Sequence, residues 1–150
     1  MSCLDYFYRL LSLKEYSVHE LQKKGKEKGF DLDEILSAIE HLQNQGYQSD
    51  TKVIVSAISS AKGKYARPVI RRKCLAKGIT SELFDQVWDA EVVENEDDEL
   101  DLLSQLKAKI MRKYKIESWQ NIDHKTKAKV ISYLQYRGFN PFEIIKKWTE

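Results

Sequence analysis

Cysteine is scarce in this 150-residue chain: Cys3 and Cys74 are its two, far apart and each inside a helical pattern. That fits a reduced, cytoplasmic protein better than a disulfide framework. Long apolar runs are missing as well. The longest, Val53 to Ile58, is interrupted by Ser56 and falls far short of the roughly 20 residues that a membrane span requires. Asp5 and Arg9 break the N-terminal stretch, which therefore does not resemble a signal peptide. No membrane partner is expected. The three histidines, His19, His41 and His124, stand apart, with no His-x-x-x-His pair, no paired cysteines and no carboxylates at ligand spacing, so no metal site is expected. Gly63-Lys64 lacks the upstream glycine and the following Ser or Thr of a phosphate-binding loop, and neither cysteine has a recognisable base partner. Neither catalysis nor a cofactor is expected. The formal net charge of +2 and the pI near 8.4 are mild, so an anionic partner must be argued from local charge.

Local charge is strongly uneven. From Lys62 to Ile79 the chain carries Lys62, Lys64, Arg67, Arg71, Arg72, Lys73 and Lys77 and no acid, whereas residues 82–101 are charged only by carboxylates. Pro68 near the start and Gly78 past the end bracket the basic stretch as one short helix. On a helical wheel Ile70 and Cys74 point inward, Arg71 and Lys73 flank them and Arg72 lies opposite.

The rest of the chain reads as helices. Leu4, Phe7, Tyr8 and Leu11 follow the spacing of an amphipathic helix. A second helix opens at Ser17, with Glu20 placed for a capping box, and ends at Gly29. Asp31 caps a third, carrying Ile35, Ala38, Ile39 and Leu42 and stopping at Gly46. The order then recurs: a helix with Ile54, Ala57, Ile58 and Ala61, the basic helix, and a helix with Phe84, Val87 and Trp88. It recurs again with Leu103, Leu106, Ile110 and Tyr114, then residues 126–137 ending at Gly138, then 141–148.

Aligning Gly29, Gly78 and Gly138 brings Leu21, Ile70 and Val130 together eight residues earlier, and Phe30, Ile79 and Phe139 one residue later. Asp31, Thr80 and Asn140 follow, all helix-capping types, and then Ile35, Phe84 and Ile144, and Ile39, Trp88 and Trp148. Such agreement marks an internal repeat. The fold expected is all-α: three tandem three-helix repeats, 1–49, 50–96 with the basic central helix, and 97–150, stacked in an elongated rod open to curvature.

Gly46-Tyr47-Gln48-Ser49-Asp50, Lys62-Gly63-Lys64-Tyr65 leading into Ile70-Arg71, and Lys77-Gly78-Ile79 resemble the RecX recombination regulators. Arg112-Lys113-Tyr114 and Leu134-Gln135-Tyr136-Arg137-Gly138-Phe139 resemble that family's gamma-proteobacterial members. The resemblance spans essentially the whole chain. It departs at Tyr65-Ala66-Arg67, where the family has Tyr-Gly-Pro, at Val69, where it has a basic residue, and at Gly25, where it has an inward Leu. That glycine costs about 1 kcal/mol of helix propensity besides packing, so the first module is expected to be the loosest. The resemblance implies a monomeric regulator, not an enzyme, that binds RecA. It would lodge in the groove of the RecA-DNA filament, bind DNA weakly on its own, and inhibit recombinase, ATPase and SOS co-protease activity.

The residues that carry such contacts are Lys64, Tyr65, Arg67, Arg71, Arg72, Lys73 and Lys77, with the arginines preferred because their planar forks suit phosphate and carboxylate. The plain alternative is a solvated helix face. A second functional reading is a helical protein that binds DNA directly, without RecA, and a third is a scaffold acting through apolar faces. The acidic run of Glu91, Glu94, Glu96, Asp97, Asp98, Glu99 and Asp101 reads as a solvated linker with a hinge. Of Tyr47, Tyr65, Tyr114, Trp119, Tyr133, Tyr136 and Trp148, which could stack on bases, most are assigned to the core. Tyr65 alone stays evenly open to a surface role.

Overall fold

The computed structural model describes residues 1–92 and 96–150, and of Glu96 and Asp97 the backbone only. All regular structure among the described residues is helical: α1 (Cys3–Leu11), α2 (Val18–Lys28), α3 (Leu32–Asn44), α4 (Asp50–Ala61), α5 (Arg67–Ala76), α6 (Ser81–Glu91), α7 (Glu96–Tyr114), α8 (His124–Tyr136) and α9 (Pro141–Thr149). The helices come in three successive triplets, as the repeat requires. In each, the middle helix ends on a left-handed glycine, at φ +94°, +81° and +85° for Gly29, Gly78 and Gly138. Leu21, Ile70 and Val130 are buried, as are Ile35, Phe84 and Ile144. Thr80 and Asn140 cap the helices that follow, their side chains accepting from Leu83 N at 3.2 Å and Glu143 N at 3.3 Å. Asp31 holds the same capping backbone without a side-chain hydrogen bond, so at that column only the main chain closes the turn.

The chain divides into two compact units, Met1–Ser60 with Arg71–Val92, and Ala61–Ile70 with Val93–Glu150. Their borders cut α4 before its last residue and α5 after Ile70. In the first unit, Cys3, Phe7, Leu21, Ile35, Ile39 and Leu42 form a core between α1, α2 and α3. Gly25 is buried there, and a Cβ on it would lie 2.8 Å from Ile35 Cγ1 and 3.1 Å from Phe7 Cζ. The room a leucine would need is already filled by these two side chains, so the glycine answers a close approach of helices. Ser17 makes the expected capping box with Glu20 and also donates to Lys77 O at 2.6 Å. On α4 the buried residues are Val53 and Ile54, whereas Ala57 and Ile58 are half-buried.

The second unit has its own core, in which Leu106, Ile110, Val130, Leu134, Ile144 and Trp148 meet. Trp119 and Trp148 sit with ring centres 4.9 Å apart. Two sequence expectations change here. The acidic run is not a linker from Glu96 onward, because α7 begins there and exposes Asp98, Glu99 and Asp101 on its first turns. Carboxylates are favourable at that end of a helix, where backbone N–H groups lack partners. The expected hinge and Glu94 lie outside the described residues. Helix α8 starts two residues before the expected position because Asp123 caps it, accepting from Thr126 N at 3.0 Å. A hydrogen bond from the Thr126 side chain, with this backbone one second, lowers the Asp123 carboxyl pKa from its ordinary value.

Candidate interaction surface

The basic stretch divides between the two units, and each part has its own supports. In the second unit, the turn before α5 is held from the end of α8. Arg137 donates from Nη1 to Lys64 O at 3.2 Å, and its own carbonyl accepts from Ala66 N at 2.8 Å. The guanidinium lies 5.1 Å from the Tyr65 ring centre and 4.4 Å from that of Tyr133, within cation–π range. Val69 is buried, and a Cβ on Gly138 would stand 2.9 Å from its Cγ2. Val69, where a basic residue stands in the resembled pattern, is thus a packing residue. Lys64 and Arg67 are exposed and Tyr65 is half-buried. Helix α5 begins at Arg67, with Pro68 in the first turn, where its missing N–H costs nothing.

In the first unit, α5 presents Arg72 and Lys73 to solvent, while Cys74 is buried. Arg71, which flanks the inward residues on the wheel, is half-buried. Its Nε lies 3.4 Å from Asp85 Oδ1 on α6, with the two side chains 39% and 43% exposed. A pair this open contributes little stability, but it partly neutralises the arginine. Lys77 is half-buried, and its carbonyl is the acceptor for Ser17. Burial raises the Cys74 thiol pKa, against a smaller lowering from Lys77.

The Gly46–Asp50 motif is structural. Gln48, only 2% exposed, donates to Tyr16 O at 3.2 Å and to Asp50 Oδ1 at 2.9 Å and accepts from Gln43 at 3.0 Å. Asp50 Oδ1 also accepts from Val18 N at 3.0 Å, completing the start of α2. Among the described residues no group of three or more His, Cys, Asp or Glu could hold a metal ion.

Of the aromatics assigned to the core, Trp119, Tyr133 and Trp148 are buried and Tyr114 is half-buried, but Tyr47 and Tyr136 are exposed. Tyr136 is 77% exposed and lines an open groove of about 550 Å³ in the second unit, together with Lys113, Tyr114, Lys129, Tyr133 and Arg137. The sequence reading assigns these tyrosines to the core and leaves Lys113 and Lys129 out of the candidate site, although a charge count from Leu102 onward shows a basic excess. That stretch holds eleven Lys and Arg against four Asp and Glu, a balance of +7. The acidic run before it conceals the excess in the whole-chain total.

Comparison with known proteins accords with this architecture. A family profile described as RecX, first three-helix domain, matches residues 3–42. Regulatory protein RecX of Acinetobacter baylyi is 33% identical over 140 residues, 93% of this chain and 81% of that protein. Its counterpart in Vibrio vulnificus is 31% identical over 147 residues, covering 97% and 90%. The RecX crystal structure from Lactobacillus salivarius superposes with a TM-score of 0.71 over 97% of this chain and 90% of that one, at 18% identity. A further crystal structure of regulatory protein RecX gives 0.72 over 97% and 71%, at 19%. With its glycine-ended triplets, its central basic helix and relatives matched over 81% and 90% of their lengths, the chain belongs to the RecX family of regulatory proteins.

Proposed function

We propose that this protein regulates RecA by binding the RecA-DNA filament through the basic residues of α5 and the turn before it, and that it lowers filament activity without any catalysis of its own. The observation that carries the reading is the division of labour along α5. Val69, Ile70 and Cys74 are buried in the scaffold, while Lys64, Arg67, Arg72 and Lys73 are exposed. A stretch of sequence that concentrates cations with no acid within it suits an anionic partner, and a filament presents carboxylates and phosphates together. Membership of the RecX family supports the same partner. A monomer in the cytoplasm, inhibiting ATP turnover, strand exchange and co-protease function, completes the reading.

Single-strand-DNA-dependent ATP hydrolysis by RecA tests it directly. The protein, added at sub-stoichiometric to equal ratio, is expected to slow hydrolysis, and unchanged hydrolysis with folded protein would reject the proposal.

A further inference from the structure

Lys129, Ser132, Tyr133 and Tyr136 lie three, one and three residues apart on α8, a spacing that aligns them on one side of the helix. With Lys113 and Tyr114 from the last turn of α7, and with Arg137, they line the groove of about 550 Å³. Lys113 Nζ lies 5.0 Å from the Tyr133 ring centre and 5.7 Å from that of Tyr114. No Asp or Glu is among the lining residues.

The cluster is private to the third module. At the repeat columns of Tyr133 and Tyr136 the first module has Lys24 and Glu27, and the second has Lys73 and Ala76. The repeat architecture therefore does not call for an aromatic at the Tyr136 column, and Tyr136 holds its ring in solvent.

We propose that this groove binds single-stranded nucleic acid, with Lys113 and Lys129 meeting backbone phosphates and the Tyr136 ring stacking on an unpaired base. Cations without acids select a polyanion. An exposed ring beside them favours a nucleic acid over an acidic protein segment, because every base offers a π-face and a carboxylate chain has none. A single strand is chosen over a duplex because only unpaired bases can leave their stack to meet a side chain. The site is separate from α5 and does not depend on the RecA reading.

The test is fluorescence anisotropy of the full chain with labelled oligothymidylate, in the absence of RecA, so its outcome is independent of the ATPase assay. Binding is expected to weaken as salt rises. Tyr136→Ala should weaken it about tenfold, the lower range of one lost base stack, whereas Tyr136→Phe should keep it. Lys113→Glu with Lys129→Glu should also weaken it and make the slope of log affinity against log salt shallower by about 1.4, two phosphate contacts at roughly 0.7 each. These side chains are on the surface, so helical circular dichroism should be unchanged; if Tyr136→Ala unfolds, the lysine pair decides. Absence of oligothymidylate binding by folded protein would overturn the proposal. So would binding lost only in Arg72→Glu with Lys73→Glu, or binding of labelled polyglutamate with the same sensitivity to the groove variants.

Discussion

Gly29 and Gly78 occupy the same column of the repeat and share a left-handed backbone, yet their surroundings separate them. A Cβ on Gly29 would meet nothing within 4 Å, while one on Gly78 would stand 2.4 Å from His19 Cβ. Alanine at Gly29 therefore carries only the cost of the left-handed turn, about 1–2 kcal/mol. At Gly78 the obstacle is an atom fixed to the backbone of α2, so overpacking adds about 1–3 kcal/mol. Urea unfolding of Gly29→Ala and Gly78→Ala should show that difference, and equal midpoints would contradict it. The cysteines give a second residue-scale prediction. Burial first, and the Glu34 carboxylate second, push the Cys3 thiol from 9.0 to about 11. The unfolded chain then ionises at lower pH than the folded one. Stability is expected to be full below about pH 9 and to fall as pH rises towards 11. Cys3 and Cys74 are both fully buried, so native protein near pH 8 should alkylate far more slowly than unfolded protein.

At the scale of elements, Ser17 bears more than its own helix. It caps α2, accepting from Glu20 N at 3.1 Å, and donates to the carbonyl of Lys77 just beyond α5. Ser17→Ala should cost about 1–2 kcal/mol for the cap alone, with a further contribution from the buried hydrogen bond to Lys77. Ser17→Thr, which keeps the hydroxyl, should recover part of that loss in the same unfolding measurement. A fall no larger for Ala than for Thr would show that the hydroxyl contributes nothing. Helix α7 makes a related point about charge. Its first turns expose Asp98, Glu99 and Asp101, and its last carries Arg112 and Lys113, the order of signs that the helix dipole favours. What reads by composition as a repelling linker is, from Glu96 on, a helix start.

At the scale of the whole molecule, the test of function is charge reversal on α5. Arg72→Glu with Lys73→Glu removes two exposed cations from a helix whose inward side is left untouched. Helical content should be unchanged, while the protein needed for half-inhibition of RecA ATPase should rise at least tenfold, about the loss of one charge-assisted contact. Unaltered inhibition would point instead to apolar faces. Arg71→Glu is a poorer probe, since it would set a carboxylate beside Asp85 and disturb α6 as well as the surface. The same reversal should leave oligothymidylate binding at the α7–α8 groove in place, which separates the two surfaces.

Periodicity and turn chemistry were enough to determine the helices, the triplet order and most of the core, because these depend on local rules: 3.6-residue spacing, Ser, Thr and Asn caps, glycine at left-handed ends. The basic character of α5 was equally legible, being a matter of composition. Its partition was not. That Val69 is buried against Gly138, that Arg71 is paired with Asp85, and that Arg137 holds Lys64 and Tyr65 are contacts between residues 14 to 73 positions apart, which no local pattern encodes. Gly25 shows the same limit, since helix propensity sees a weakness where packing has placed Phe7 and Ile35. Tyr136 likewise reads as core from the sequence, yet it is exposed. Only the tertiary structure, by burying the neighbouring face of α8, left that ring in solvent.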